Sequence, residues 1–173
     1  YQIKRNVRKS KIMKNQNGLS FIATIFLVLV IAVLVFGVVY FVRIQYAKET
    51  LEDLKTDMLL VQAKVKTISS EYILEEKDEV LKGTKLSEMK DNTIIQKFLE
   101  KELFDPDKKG KKYYVWDQNI LQEQELNQVT LEEGAYYIVE YTENEVYYTK
   151  GFTYADGNTY YEISDIEQLE AAE

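Results

Sequence analysis

The chain has 173 residues, with 22 Lys+Arg against 29 Asp+Glu, a net charge of −7, no His, no Cys, one Pro and 14 Tyr. Without Cys there is no disulfide, iron–sulfur cluster, thiolate zinc site or cysteine nucleophile; without His there is neither a Ser-His-Asp triad nor an imidazole metal site. Carboxylate, Lys or Tyr chemistry is all that remains for catalysis, and the length allows one modest domain plus an appendage.

Residues 1–18 hold six basic residues and no acid: Lys4, Arg5, Arg8, Lys9, Lys11 and Lys14. The other 16 basic residues face all 29 acids, so residues 19–173 carry −13. Next comes an apolar run, Leu19–Val42, inside 28 uncharged residues from Asn15 to Val42. Twenty-four helical residues at about 1.5 Å each span about 36 Å, more than a hydrocarbon core of about 30 Å. A cleaved secretory signal has a shorter apolar region, about 7–15 residues, ending at a small-residue site; this run continues into Arg43 and a patterned helix. The expectation is a retained single-pass helix over 19–43. Positive-inside bias then keeps residues 1–18 cytoplasmic and sends 44–173 outside. An outer domain without Cys suits a bacterial surface that lacks a disulfide-forming system.

Beyond Arg43, apolar residues fall at Ile44, Ala47, Leu51, Leu54, Met58, Val61, Val65, Ile68 and Tyr72, alternately three and four apart. This seven-residue period lasts four heptads, and no Gly or Pro interrupts 38–82. One helix from about 19 to 75, roughly 85 Å long, is the simplest reading, with 44–75 as its extension outside. The seam has two candidate partners: another helix in a coiled coil, or a small sheet of the same chain. The β-rich region downstream favours the sheet.

Residues 76–173 read as an outer α+β domain. Glu71–Lys82 is charged and ends at Gly83, a helix-stop or turn signal. Thr84–Phe104 patterns as a second, shorter helix with Leu86, Met89, Ile94, Ile95, Phe98 and Leu103 on its apolar side, and Asp105–Gly110 is a turn. Ten tyrosines lie between 113 and 161, among candidate strands at 112–116, 135–141, 145–149 and 159–163. Thr142-Glu143-Asn144 and Asp156-Gly157-Asn158 close hairpins between them. The predicted sheet has three or four antiparallel strands, too small to stand uncovered, and the helix seam supplies a cover.

No catalytic residue, cofactor or metal site is assigned. Asp105, Asp107 and Gly110, like Asp156 and Asn158, read as exposed turns lacking the ligand count of a calcium loop. The tyrosines read as sheet core, and the charge of −13 opposes nucleic acid as a ligand of the outer domain.

The stretch Lys14-Asn15-Gln16-Asn17-Gly18-Leu19-Ser20-Phe21-Ile22-Ala23, with the helix and sheet that follow, resembles a type IV pilin or pilin-like pseudopilin. The segments Gly134–Tyr141 and Glu145–Phe152 are similar to the terminal hairpin of small clostridial-type pilin-like membrane proteins. The resemblance implies that a prepilin peptidase cuts between Gly18 and Leu19 and methylates the new terminus. It further implies that the bilayer stores the subunit until it joins other pilin-like subunits in a pilus or a type II secretion-like filament. Ala23 stands at the fifth mature position, where the family carries Glu, and this points to a minor subunit or pseudopilin. The alternative is a bitopic division-type scaffold acting through an extracellular coiled coil.

Overall fold

The computed structural model describes the backbone of residues 16–169 and the side chains of 22–42 and 50–169. The basic tail before Gln16, and the side chains of Gly18, Leu19, Arg43, Ile44 and Ala47, lie outside the described residues. The chain divides into two units between Ala47 and Lys48. The helix α1, Gln16–Glu75, contributes to both.

In the first unit every described side chain of α1 from Ile22 to Val42 is exposed except Ala32, which is half-buried. Ala23 is one of the exposed residues.

The second unit is α+β. Its sheet has five strands, β1 (Thr84–Lys85), β2 (Tyr113–Trp116), β3 (Tyr137–Glu140), β4 (Glu145–Thr153) and β5 (Thr159–Glu162), in sequential order with every neighbour antiparallel. Around it lie the helices α2 (Thr93–Leu99), α3 (Gln118–Glu123) and α4 (Ile163–Ile166). The expected count of three or four strands is therefore too low. The extra strand is β1, which pairs Thr84 with Val115 and Lys85 with Tyr114.

The expected helix over 84–104 is corrected at the same place. Only Thr93–Leu99 is α-helical, preceded by a 3-10 turn at Leu86–Met89. Two local signals break the longer helix. Gly83 has φ 98°, which aims the following residues at the edge of β2. Asn92 caps α2, its Oδ1 accepting from the N–H groups of Ile94 (2.9 Å) and Ile95 (3.2 Å). Gly83 serves as a turn, and α1 ends earlier, at Glu75, followed by Glu76 in the left-handed region at φ 54°.

Period-two alternation gives the sheet two apolar faces, and both are covered. One face presents Tyr114, Trp116, Tyr137, Val139, Val146 and Tyr148 to the seam of α1 and to Ile163 and Ile166 of α4. The other presents Tyr113, Val115, Ile138 and Tyr147 to Leu86, Ile95 and Phe98. A sheet buried on both sides explains why β2 and β3 are buried at every position. At the junction of β1 and β2, the Lys82 carbonyl accepts from the Trp116 indole (2.9 Å) and from the Tyr141 hydroxyl (2.8 Å). That satisfies two polar groups the core would otherwise strand.

Candidate functional site

Among the described residues, an uncovered apolar helix segment and the surface by which α1 holds its own sheet stand out. The segment Ile22–Val42 has 21 residues and is long and apolar enough to cross a membrane. At about 1.5 Å per residue it measures about 32 Å. Its length and composition suit a membrane anchor and a signal sequence alike.

The seam predicted from spacing lies against the sheet. Met58, Val61 and Val65 are fully buried, Leu51 and Ile68 nearly so, and Leu54 and Tyr72 pack half-buried at the margin. Polar contacts fix the register of helix on sheet. Ser69 donates to the Tyr141 carbonyl (2.6 Å), and Gln62 donates to the Asn144 carbonyl (3.1 Å). Lys55 donates to the Leu169 carbonyl, tying the end of the described chain to α1. Tyr72 lies under the ammonium of Lys112, 5.0 Å from ring centre, and Lys112 also pairs with Asp78 at 2.8 Å. Spacing alone finds the seam. Ser69 and Gln62 flank it with no signal of their own.

At the far end of the β3–β4 hairpin sits a charged group that sequence patterning missed. Glu140 is only 1% exposed. Its carboxylate accepts from the backbone N–H groups of Glu143 (2.6 Å), Thr142 (2.8 Å) and Lys112 (3.3 Å). Lys111 reaches Glu140 at 3.4 Å and Glu143 at 2.6 Å. Burial pushes the Glu140 carboxyl up, but these hydrogen bonds outweigh burial and hold it below the usual carboxylate value. Its role is architectural: it closes the turn in which Asn144 takes φ 60°. Beside it, Phe104 stacks on Tyr113 at 4.4 Å and tilts against Tyr147 at 4.6 Å, flooring a cleft of about 260 Å³.

The turn carboxylates are occupied locally. Asp105 accepts from the N–H of Asp107, and Asp107 pairs with Lys90 at 2.9 Å. Asp156 accepts from the N–H of Asn158 (2.9 Å) and from the Tyr160 hydroxyl (2.8 Å). Among the described residues no group of three or more Asp or Glu is arranged to hold a metal ion. Burial holds the phenols of Tyr137, Tyr141, Tyr147 and Tyr148 far above the ordinary tyrosine value. Such groups serve as packing and hydrogen-bonding elements. No family model, curated protein or solved structure matches the chain.

Proposed function

We propose that this protein is a pilin-like structural subunit, a minor pilin or pseudopilin of a type IV pilus or type II secretion-like filament. In this reading Ile22–Val42 anchors it in the bilayer before assembly. The basic tail stays in the cytoplasm, the sheet domain lies outside, and the chain is not an enzyme. Its partners are the lipid bilayer, a prepilin peptidase and other pilin-like subunits.

The observation that carries this reading is the fate of the seam. Met58, Val61 and Val65 are fully buried under strands of their own chain. A bitopic scaffold working through an extracellular coiled coil needs those same side chains as knobs for a partner helix. A subunit that uses the second half of its helix to carry its own sheet, and leaves the apolar first half uncovered, needs no such partner for its domain to fold.

The test is the mass of the amino-terminal peptide of protein extracted from membranes of cells that have the peptidase. The expected peptide begins at an N-methylated Leu19. An intact basic tail in those cells overturns the reading.

A further inference from the structure

The cleft of about 260 Å³ beside the β3–β4 hairpin has an apolar wall and a charged one. Phe104, half-buried, stacks with Tyr113 and Tyr147 on the apolar side. Leu103 lines the same side and is 41% exposed, an aliphatic surface left to water. Covering it is favourable for any ligand with an aliphatic stem.

The charge on the other wall is unbalanced. Asp105, Glu140, Glu143 and Glu145 line the cleft against two ammonium groups, Lys108 and Lys111. One half of the wall is neutralised already. The Lys111 side chain, 10% exposed, lies 3.4 Å from Glu140 and 2.6 Å from Glu143. The other half has no counter-ion: among the described residues neither Glu145 nor Asp105 makes an ion pair, and neither does Lys108, which is exposed on its turn. Glu145 is half-buried, and it accepts from the Ser164 N–H at 3.1 Å, a bond that favours the ionised carboxylate. The cleft therefore holds one lysine ammonium on its own carboxylates and leaves a neighbouring carboxylate, beside the same apolar wall, without a cation. The wider field has the same sign. From Tyr113 to Glu173 the chain has 14 acids and one base, Lys150, and a field of one sign concentrates the opposite charge in a cleft.

We propose that this cleft is a binding site for a primary alkylammonium group, with the ammonium on Glu145 and the aliphatic stem against Leu103 and Phe104. The ligand adds to Glu145 what Lys111 supplies to Glu140 and Glu143. An inorganic cation suits the place less. Among the described residues no three acids are arranged to hold a metal ion, and Leu103 and Phe104 offer such an ion nothing. A free alkylamine and the lysine side chain of a partner protein share this chemistry. The site does not depend on the filament reading.

The experiment is a nuclear magnetic resonance titration of the full chain in nonionic micelles with n-pentylammonium, at about pH 7, where alkylammonium groups are protonated. The neutral n-pentanol matches the stem, and ammonium chloride matches the charge. Saturable shifts are expected at the amides of residues 103–105 and 145–147 with n-pentylammonium and with neither control. Glu145→Gln keeps an acceptor for the Ser164 N–H and is expected to weaken binding about tenfold or more. Leu103→Ser, at an exposed position, is expected to weaken it as well while leaving the thermal midpoint unchanged. The peptide acetyl-Gly-Lys-Gly-amide separates the two sources: binding tighter than that of n-pentylammonium assigns the site to a partner's lysine, and weaker binding assigns it to a free amine. Absence of saturable shifts at these residues overturns the proposal. So does n-pentanol or ammonium chloride binding as well as n-pentylammonium, or either variant binding n-pentylammonium as tightly as wild type.

Discussion

Met58 and Leu59 are neighbours on α1 with opposite surroundings: Met58 is fully buried against the sheet, and Leu59 is 39% exposed. Truncating each to Ala separates packing on the sheet from every effect of the helix itself. Met58→Ala removes three heavy atoms from the core. At about 0.8 kcal/mol per methylene-sized group the transfer loss is about 2.4 kcal/mol. A residual cavity of about 60 Å³ adds about 1.4 kcal/mol at about 24 cal/mol per Å³. The expected loss is about 4 kcal/mol, a drop of roughly 15 °C in Tm for a domain of this size. Leu59→Ala is expected to cost under about 1 kcal/mol, because the side chain is partly hydrated in the fold. The assay is thermal unfolding of the full chain in micelles, followed by near-ultraviolet circular dichroism at several protein concentrations. Equal losses for the two variants would refute the packing argument. So would a wild-type midpoint that climbs with protein concentration, since a seam stabilised by a partner helix follows mass action.

Other sites give equally direct outcomes. A Cβ added at Gly83 would sit 2.5 Å from Trp116 Cδ1 and 2.8 Å from the Val115 carbonyl oxygen, at a φ of 98°. Gly83→Ala is therefore expected to destabilise by about 3 kcal/mol or more, read as a lower denaturation midpoint of Trp116 fluorescence. Glu140→Gln leaves turn N–H groups facing a weaker acceptor and an amide in place of the Lys111 partner, so a loss of about 1–3 kcal/mol is expected at neutral pH. Because the folded Glu140 carboxyl titrates below its ordinary 4.5, its contribution is present above that value and disappears as pH falls through the folded one. Wild type and Glu140→Gln should thus keep a constant gap in urea stability above about pH 4.5 and converge as pH falls further below it, and parallel curves throughout would contradict this assignment.

Much of the domain is readable from residue order because strong periodic signals survive folding. The 3–4 spacing from Leu51 to Tyr72 falls on the buried side of α1, and the helix ends at Glu75, close to the expected end at about 75. Alternation in 137–140 separates Tyr137 and Val139 from Ile138, and these do pack on opposite faces. Gly157 occupies its hairpin with φ 84°. Short elements escape such reading. β1 has two residues, below any period, and its pairing depends on Gly83 fitting under the Trp116 ring. α3 and α4 have six and four residues, and the Asp117 cap that starts α3 is no different in sequence from a turn aspartate. Glu140 is the most instructive miss. A glutamate in a strand next to a polar turn reads as solvent-facing, and only closure of the turn onto its carboxylate buries it.

With helices or loops laid over both broad sides of the strands, Tyr113, Tyr114, Tyr137, Tyr141, Tyr147 and Tyr148 are spent inside. What the domain leaves open to other molecules includes its margins: hairpin tips such as Asp156–Asn158, the outer edge of β5, and the outward side of α1 where Leu59, Ile73 and Leu74 stand in the open. Sequence drift at those margins can alter whom the domain meets without disturbing how it is built.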